Sequence, residues 1–208
     1  MDIIDFVKKS PQRHFKKGEY VLSEGEVSTK LLAIAQGFVK VVSVDDDGSE
    51  RGLWVAGRYD IVPTEQLFSQ RHPLKFFYSA LSDGVAYEVN KKEFLDFAKT
   101  DLQLMTEIAK SMSTHYDDLM MRINSVERTN VHDKIIATLH YLAERFSAER
   151  SVDLYELGLK ITHQDLADML GSTRETTSLE LHKLRKEGFI DYDRTKLIVH
   201  LDKTSLVV

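Results

Sequence analysis

The 208-residue sequence contains no cysteine. That excludes a disulfide, a thiolate zinc site, a cysteine-held iron–sulfur cluster and a thiol redox switch. No uncharged run approaches the ~20 residues of a membrane span; the longest is of the kind "LLAIAQGFV", between Lys30 and Lys40. The opening "MDIIDFVKKS" lacks a signal-peptide layout, so a cytoplasmic protein with no membrane partner is expected. Positive charge is not in surplus either, the net charge being −5, and a nucleic-acid partner would have to be met by a local surface rather than by the global field. There is no internal repeat or low-complexity tract. The histidines (His14, His72, His115, His132, His140, His163, His182 and His200) are scattered, and none pairs with a carboxylate at metal-ligand spacing, so no metal site is expected and no cofactor is assigned; an axial haem ligand, which need not sit in a motif, stays open.

What is present begins with strand signals. From Phe15 to Val89 short β-prone runs recur, "EYVLSEGEV", "FVKVVSV" and "GVAYEV", the last alternating Val85, Tyr87 and Val89 with Ala86 and Glu88. Gly18, Gly25, Gly37, Gly48 in "DDDGS" and Gly57 fall where the chain would have to turn. An antiparallel β barrel or roll follows from this pattern. The run Phe76, Phe77 and Tyr78 is read first as filling that roll and second as lining an apolar pocket.

At Asn90 the period changes. Asn90 with Glu93 reads as a capping box, "KKEFLDFAK" carries a helical face of Phe94, Leu95 and Ala98, and Thr100 with Gln103 reads as a second cap. To about Arg128, Leu102, Met105, Ala109, Met112, Tyr116, Leu119, Ile123 and Val126 then recur at alternating spacings of three and four. That is a coiled-coil seam, and its length predicts a homodimer; Leu104, Ile108 and Met120 are assigned to the helix's own domain. Asn130 with Asp133 opens a further helix faced by Ile135, Ile136, Leu139, Leu142, Ala143 and Phe146, closed by the polar "SAERSVD". The predicted organisation is α+β: a β-roll domain over 1–99, a connecting helix over 100–128 and a helical domain over 129–208.

The function is written in "ITHQDLADMLGSTRETTSLELHKLRKEG", which reads as two helices and a tight turn. Thr162 and Asp165 box the first helix, Leu166, Ala167 and Leu170 form its inner side, and Gly171 can take the left-handed turn that ends it. Thr173 caps the second, whose inward face is Thr177, Leu181 and Leu184 before Gly188. Its outer face carries Arg174, Glu175, Ser178 and a bare Leu179. Such a set suits a major groove: Arg174 can donate to guanine, Glu175 accept from cytosine, Ser178 reach either, and Leu179 touch a thymine methyl. Thr162, Thr173 and Thr176, with Lys183, Arg185 and Lys186, would hold phosphates. The strands "FIDY" and "KLIVHL" would form a wing, with Arg194 or Lys196 near the DNA backbone. From Tyr155 to Val208 there are eight Lys and Arg against nine Asp and Glu, so non-specific affinity should be modest and very sensitive to salt.

This stretch resembles the CRP/FNR family of bacterial transcription regulators, through the capping Thr162, Gln164 two residues on, the turn glycine and the Arg174-Glu175-Thr176 opening of the second helix. "FKKGEYVLSEGE" and "LLAIAQGFVKV" are similar to the family's jelly-roll-type cyclic-nucleotide-binding β-roll, so the similarity spans nearly the whole chain. The resemblance implies a homodimer joined through the long helix, an inverted-repeat double-stranded DNA operator read by two winged helix-turn-helix domains, and RNA polymerase as a further partner. It makes Arg174, Glu175 and Ser178 base readers and Thr162, Gln164, Thr173 and Thr176 phosphate contacts. Many relatives have arginine where this chain has Leu179, which implies a changed half-site.

The cyclic-nucleotide members carry Gly-Glu before a Leu-Phe pair, then Arg-Ser or Arg-Thr on the phosphate. Here, with Leu67-Phe68 as anchor, Pro63 and Thr64 replace the first pair and Lys75-Phe76 the second, with Glu65 one position out of place. A buried phosphate needs a guanidinium and hydroxyl or amide donors, so a small-molecule effector other than cyclic AMP, or none, is expected. Two other classes make distinct predictions. A cupin-like metalloenzyme would need His and Glu clustered on adjacent strands, whereas the β region offers only His14 and His72, both outside the clear strand runs. A ligand- or partner-binding module whose helical corner engages protein would leave no operator footprint.

Overall fold

The computed structural model describes residues 3–68, 72–150, 154–192 and 197–200. The chain forms two compact units, residues 1–48 with 54–117 and residues 49–53 with 118–208. The division falls inside the long helix, earlier than its C-terminal end.

The first unit contains a short helix α1 (Ile3–Val7) and β1 (Gln12–Phe15), β2 (Tyr20–Leu22), β3 (Lys30–Gln36), β4 (Val39–Val44), the end of β5 (Glu50–Ala56), whose residues 50–53 count with the second unit, β6 (Ile61–Val62), β7 (Phe77–Ala80) and β8 (Gly84–Asn90). They form two four-stranded sheets, β1-β8-β3-β6 and β2-β7-β4-β5. The pairings β1–β8, β3–β8, β3–β6, β2–β7 and β4–β7 are antiparallel. Alternation along β8 reports the two faces of its sheet. Val89 and Tyr87, with Leu31 and Ala33 of β3, pack on α1, on α2 (Lys91–Ala98) and on the start of α3 (Leu102–Val126), through Val7, Phe94, Ala98, Leu104 and Ile108. Ala86, Leu32 and Ile34 turn to the other face, which is also buried.

Three local expectations change here. His14 lies inside β1, so it is a strand residue. In the turn after β5 it is Tyr59, with φ +77, that takes the left-handed conformation and not Gly57. The N-terminus of α3 is capped by Asp101, whose Oδ1 accepts from the Leu104 N–H at 3.0 Å, while the Thr100 hydroxyl donates backwards to Phe97 O. An acid one residue nearer the helix outcompetes the hydroxyl for the free N–H groups.

The second unit is built on α4 (Val131–Phe146), in which Ile135, Ile136, Leu139, Tyr141, Leu142 and Ala143 are all buried. Asn130 caps it, accepting from the Asp133 N–H at 2.8 Å. Then come β9 (Ser147–Arg150), β10 (Leu154–Leu157), α5 (His163–Leu170), α6 (Arg174–Glu187), β11 (Ile190–Tyr192) and β12 (Leu197–His200). The stretch expected to be a polar closing segment is instead in part a strand, because Tyr155 and Glu156 of β10 pair with Arg150 and Glu149. Main-chain pairing holds it where side-chain pattern gives no sign of a strand. The sheet order is β11-β12-β10-β9.

Helix α3 has two faces. Along the expected seam, Leu102 (83% exposed), Met112, Tyr116 (63%), Leu119 and Ile123 (53%) are open to solvent. Met105 and Val126 are only half-exposed, Met105 being packed partly on the first unit's core. Met120, assigned with Leu104 and Ile108 to the helix's own domain, is instead exposed beside Tyr116 and Leu119. The inner face is Leu104, Ile108, His115, Asp118, Arg122 and Ser125, all buried, so its second half is polar. No described helix is long and apolar enough to cross a membrane.

Candidate nucleic-acid interface

Helix α5 begins with a reciprocal cap. The Thr162 hydroxyl oxygen accepts from the Asp165 N–H at 3.1 Å, and Asp165 Oδ2 accepts from the Thr162 N–H at 3.0 Å. The helix ends at Gly171, φ +61, where a Cβ would be strained, and the Ser172 N–H donates back to Ala167 O. Two residues later Thr173 opens α6 by accepting from the Thr176 N–H at 3.1 Å. Leu166, Ala167, Met169 and Leu170 of α5 are buried, as are Thr177, Leu181 and Leu184 of α6. Thr162→Ala should cost about 1 kcal/mol, seen as a lowered melting temperature by circular dichroism, because the Asp165 N–H at the start of α5 loses its acceptor.

This packing turns one row of α6 outward. Arg174, Glu175 and Thr176 are exposed, and Leu179 is 64% exposed. Ser178 is half-buried, its Oγ 3.1 Å from His163 Nδ1, so it reaches the surface while held by the first helix. Burial first, then the neighbouring His182 and Arg174, hold His163 below the usual histidine pKa. Lys183 is exposed but paired with Glu180 at 2.6 Å, and that ammonium is the main reason the Glu180 carboxyl lies below its usual range. Gln164 donates to Asp168 at 2.7 Å, and the Thr173 and Thr176 hydroxyls bond to each other. Arg185 bridges to Asp191 at 3.0 Å and lies over the Tyr192 ring. Strands β11 and β12 pair through Ile190–Val199, Asp191–Ile198 and Tyr192–Leu197, the geometry of a wing. Arg194 and Lys196 lie outside the described residues.

One group escaped the reading of the sequence. Arg122 on α3 is buried and donates to Ser125 Oγ and to Gly52 O, each at 3.0 Å, and to Met169 O in the last turn of α5. Burial lowers its pKa to about 10. Nearby Asp118 accepts from Arg145 Nε at 2.9 Å. The signal was available: the inner-face residues from Leu104 to Ser125 repeat at the same period as the seam, and polar groups at such positions must bond inside the protein.

In the first unit the Tyr78 hydroxyl donates to both oxygens of Glu65, at 2.6 and 2.7 Å. Tyr78 is almost fully buried and Phe77 half-buried against Tyr20, so this part of the aromatic run fills the roll. Burial, then the Glu65 charge, pushes the Tyr78 hydroxyl above its ordinary range. Among the described residues no group of three His, Asp or Glu side chains could hold a metal.

Residues 12–101 match the cyclic nucleotide-binding domain, and residues 133–207 match the Crp-like helix-turn-helix domain. The anaerobic regulatory protein of Bacillus subtilis is 28% identical over 92% of this chain and 80% of its own length. Electron transport regulator A of Shewanella oneidensis is 28% identical over 99% and 78%. In fold, FixK2 from Bradyrhizobium japonicum superposes with a TM-score of 0.79 at 15% identity, covering 95% of this chain and 96% of that one. A β-roll followed by a long helix and a winged helix-turn-helix defines a class of DNA-binding regulator. The chain belongs to the CRP/FNR family and is a helix-turn-helix transcription regulator of that type.

Proposed function

We propose that the protein acts in the cytoplasm as a homodimer joined along the outer seam of α3, binds an inverted-repeat operator, and recruits or blocks RNA polymerase there. Arg174, Glu175, Ser178 and Leu179 meet base edges; Thr162, Gln164, Thr173, Thr176, Lys183 and Lys196 meet phosphates. The observation that carries this reading is the exposed row of α6, where an arginine, a glutamate and a bare leucine stand on a helix capped at both ends. A plain structural corner would not need an unburied Leu179 in that row.

The effector is something other than cyclic AMP, or is absent. Lys75 and Phe76 supply no guanidinium–hydroxyl pair, and Glu65 is engaged by Tyr78. Two relatives are named for anaerobic regulation and electron transport; a chain without cysteine would respond to such conditions without a thiol or a thiolate-held cluster.

The test is selection of genomic fragments on the purified protein, with and without cell extract. A shared inverted repeat is expected, and its absence under every condition would end this reading. Lys183→Ala should weaken all sites evenly and reduce the slope of log affinity against log salt by about 1, measured by fluorescence anisotropy across a salt series.

A further inference from the structure

Beside α1, the sheet β1-β8-β3-β6 leaves a cavity of about 380 Å³, large enough for a small organic molecule. Ile3, Ala35 and Val85 are among its apolar walls, and Lys8, Arg58 and Tyr59 line it as well. Among the described residues neither Lys8 nor Arg58 has an acidic partner. Glu65, Lys75 and Phe76, in the stretch aligned with the family's nucleotide contacts, line no part of it. Two exposed cations without an acidic partner, at the edge of a cavity whose walls are apolar and polar in similar measure, suit a ligand with one anionic head and an apolar body.

The wall that carries Arg58 is a held turn. Tyr59, at φ +77, is fixed by its N–H donating to Ile34 O at 2.8 Å, while the Ile34 N–H donates to Asp60 O at 2.9 Å. A bulky residue adopts that conformation only where its surroundings impose it, and such positions cluster at ligand clamps. The Arg58 guanidinium lies 4.6 Å from the Tyr59 ring centre. The next residue, Asp60, accepts from the Gly57 N–H at 2.7 Å and bonds His115 Nε2 on α3 at 3.1 Å. His115 in turn stands edge-on to Trp54, 4.5 Å between ring centres. The turn that borders the cavity is thus bonded directly to the long helix.

We infer that this cavity is an effector site for a small monocarboxylate with an apolar body, an aromatic or medium-chain acid, held by Arg58 and Lys8 and sensed by α3 through Asp60 and His115. The word effector rests on the regulator reading above; the binding site does not. Titration calorimetry of the full chain without DNA tests it, using benzoate and hexanoate against benzamide and hexanamide. At least one acid should bind tenfold or more tightly than its amide. Arg58→Gln and Lys8→Gln should each weaken that acid tenfold while leaving the melting temperature unchanged. No binding of either acid at millimolar concentration, equal binding of acid and amide, or full affinity in both variants overturns the site.

Operator selection is read separately. A chain that enriches an inverted repeat but binds neither acid refutes this inference alone, whereas one that binds an acid and enriches no repeat refutes the regulator reading and keeps the site. Asp60→Asn should retain the acid but lose its effect on operator affinity; an undiminished effect removes the route through His115.

Discussion

Ile123→Lys should leave the protein monomeric in sedimentation and reduce operator affinity by two to three orders of magnitude. Ile123 is 53% exposed on α3, in the row with Tyr116 and Leu119 and away from the buried Arg122 and Ser125. The substitution therefore spares each chain's own core, and the circular dichroism spectrum should not change. In a two-fold contact a residue near the axis meets its own copy or close neighbours, so the lysine places two like charges in an apolar seam. An unpaired charge in such a setting costs ~3 to 5 kcal/mol, which corresponds to roughly the stated loss. On the proposed reading operator binding falls with it, because each chain alone would engage one half-site. A variant that remains dimeric would show that the exposed row of α3 is not the contact.

Arg174→Ala should cost ~1 to 3 kcal/mol at a single base position per half-site and relax the preference there, whereas other positions keep theirs. Arg174 is the first residue of α6 and is exposed, with Thr173 behind it fixing the helix start. A bidentate donor to guanine contributes discrimination, and its loss is confined to the pair it reads. Competition with operators altered one base at a time distinguishes this from the uniform loss expected of Lys183→Ala. An even weakening across all base substitutions would move Arg174 to a phosphate role. The outcome for Ser178 differs by degree: its bond with His163 limits the directions its hydroxyl can serve, so Ser178→Ala should alter specificity less.

The helix-turn-helix was legible because its determinants are local. Thr162, Asp165, Gly171, Thr173 and Gly188 act within a few residues of themselves, and each stands at the cap or turn its chemistry prescribes. The apolar face of α4 and the two faces of β8 were legible for a similar reason, since period alone assigns them. Strand β9 was not, because it exists through pairing with β10 and its side chains carry no alternation. Asp101 was missed in favour of Thr100 because two adjacent capping residues compete, and only the helix's starting register decides between them.

The polar inner row of α3 marks a different boundary. Its spacing was readable, but a buried arginine whose partners are carbonyls of Gly52 and Met169, 70 and 47 residues away, leaves no trace in neighbouring sequence. The cavity beside α1 is the same kind of feature, assembled from Lys8, Arg58 and Val85, which come together only when β1, β3 and β8 are in register.

By itself the sequence determined the β-rich first part, the two capped helices with their outward-facing row, and the apolar period of α3, because caps and periods operate at short range. Only the tertiary structure decided which polar groups are satisfied by distant carbonyls, that Tyr78 engages Glu65, and that Tyr59 is held left-handed. Those depend on contacts between residues far apart in the chain, whose geometry no local propensity specifies.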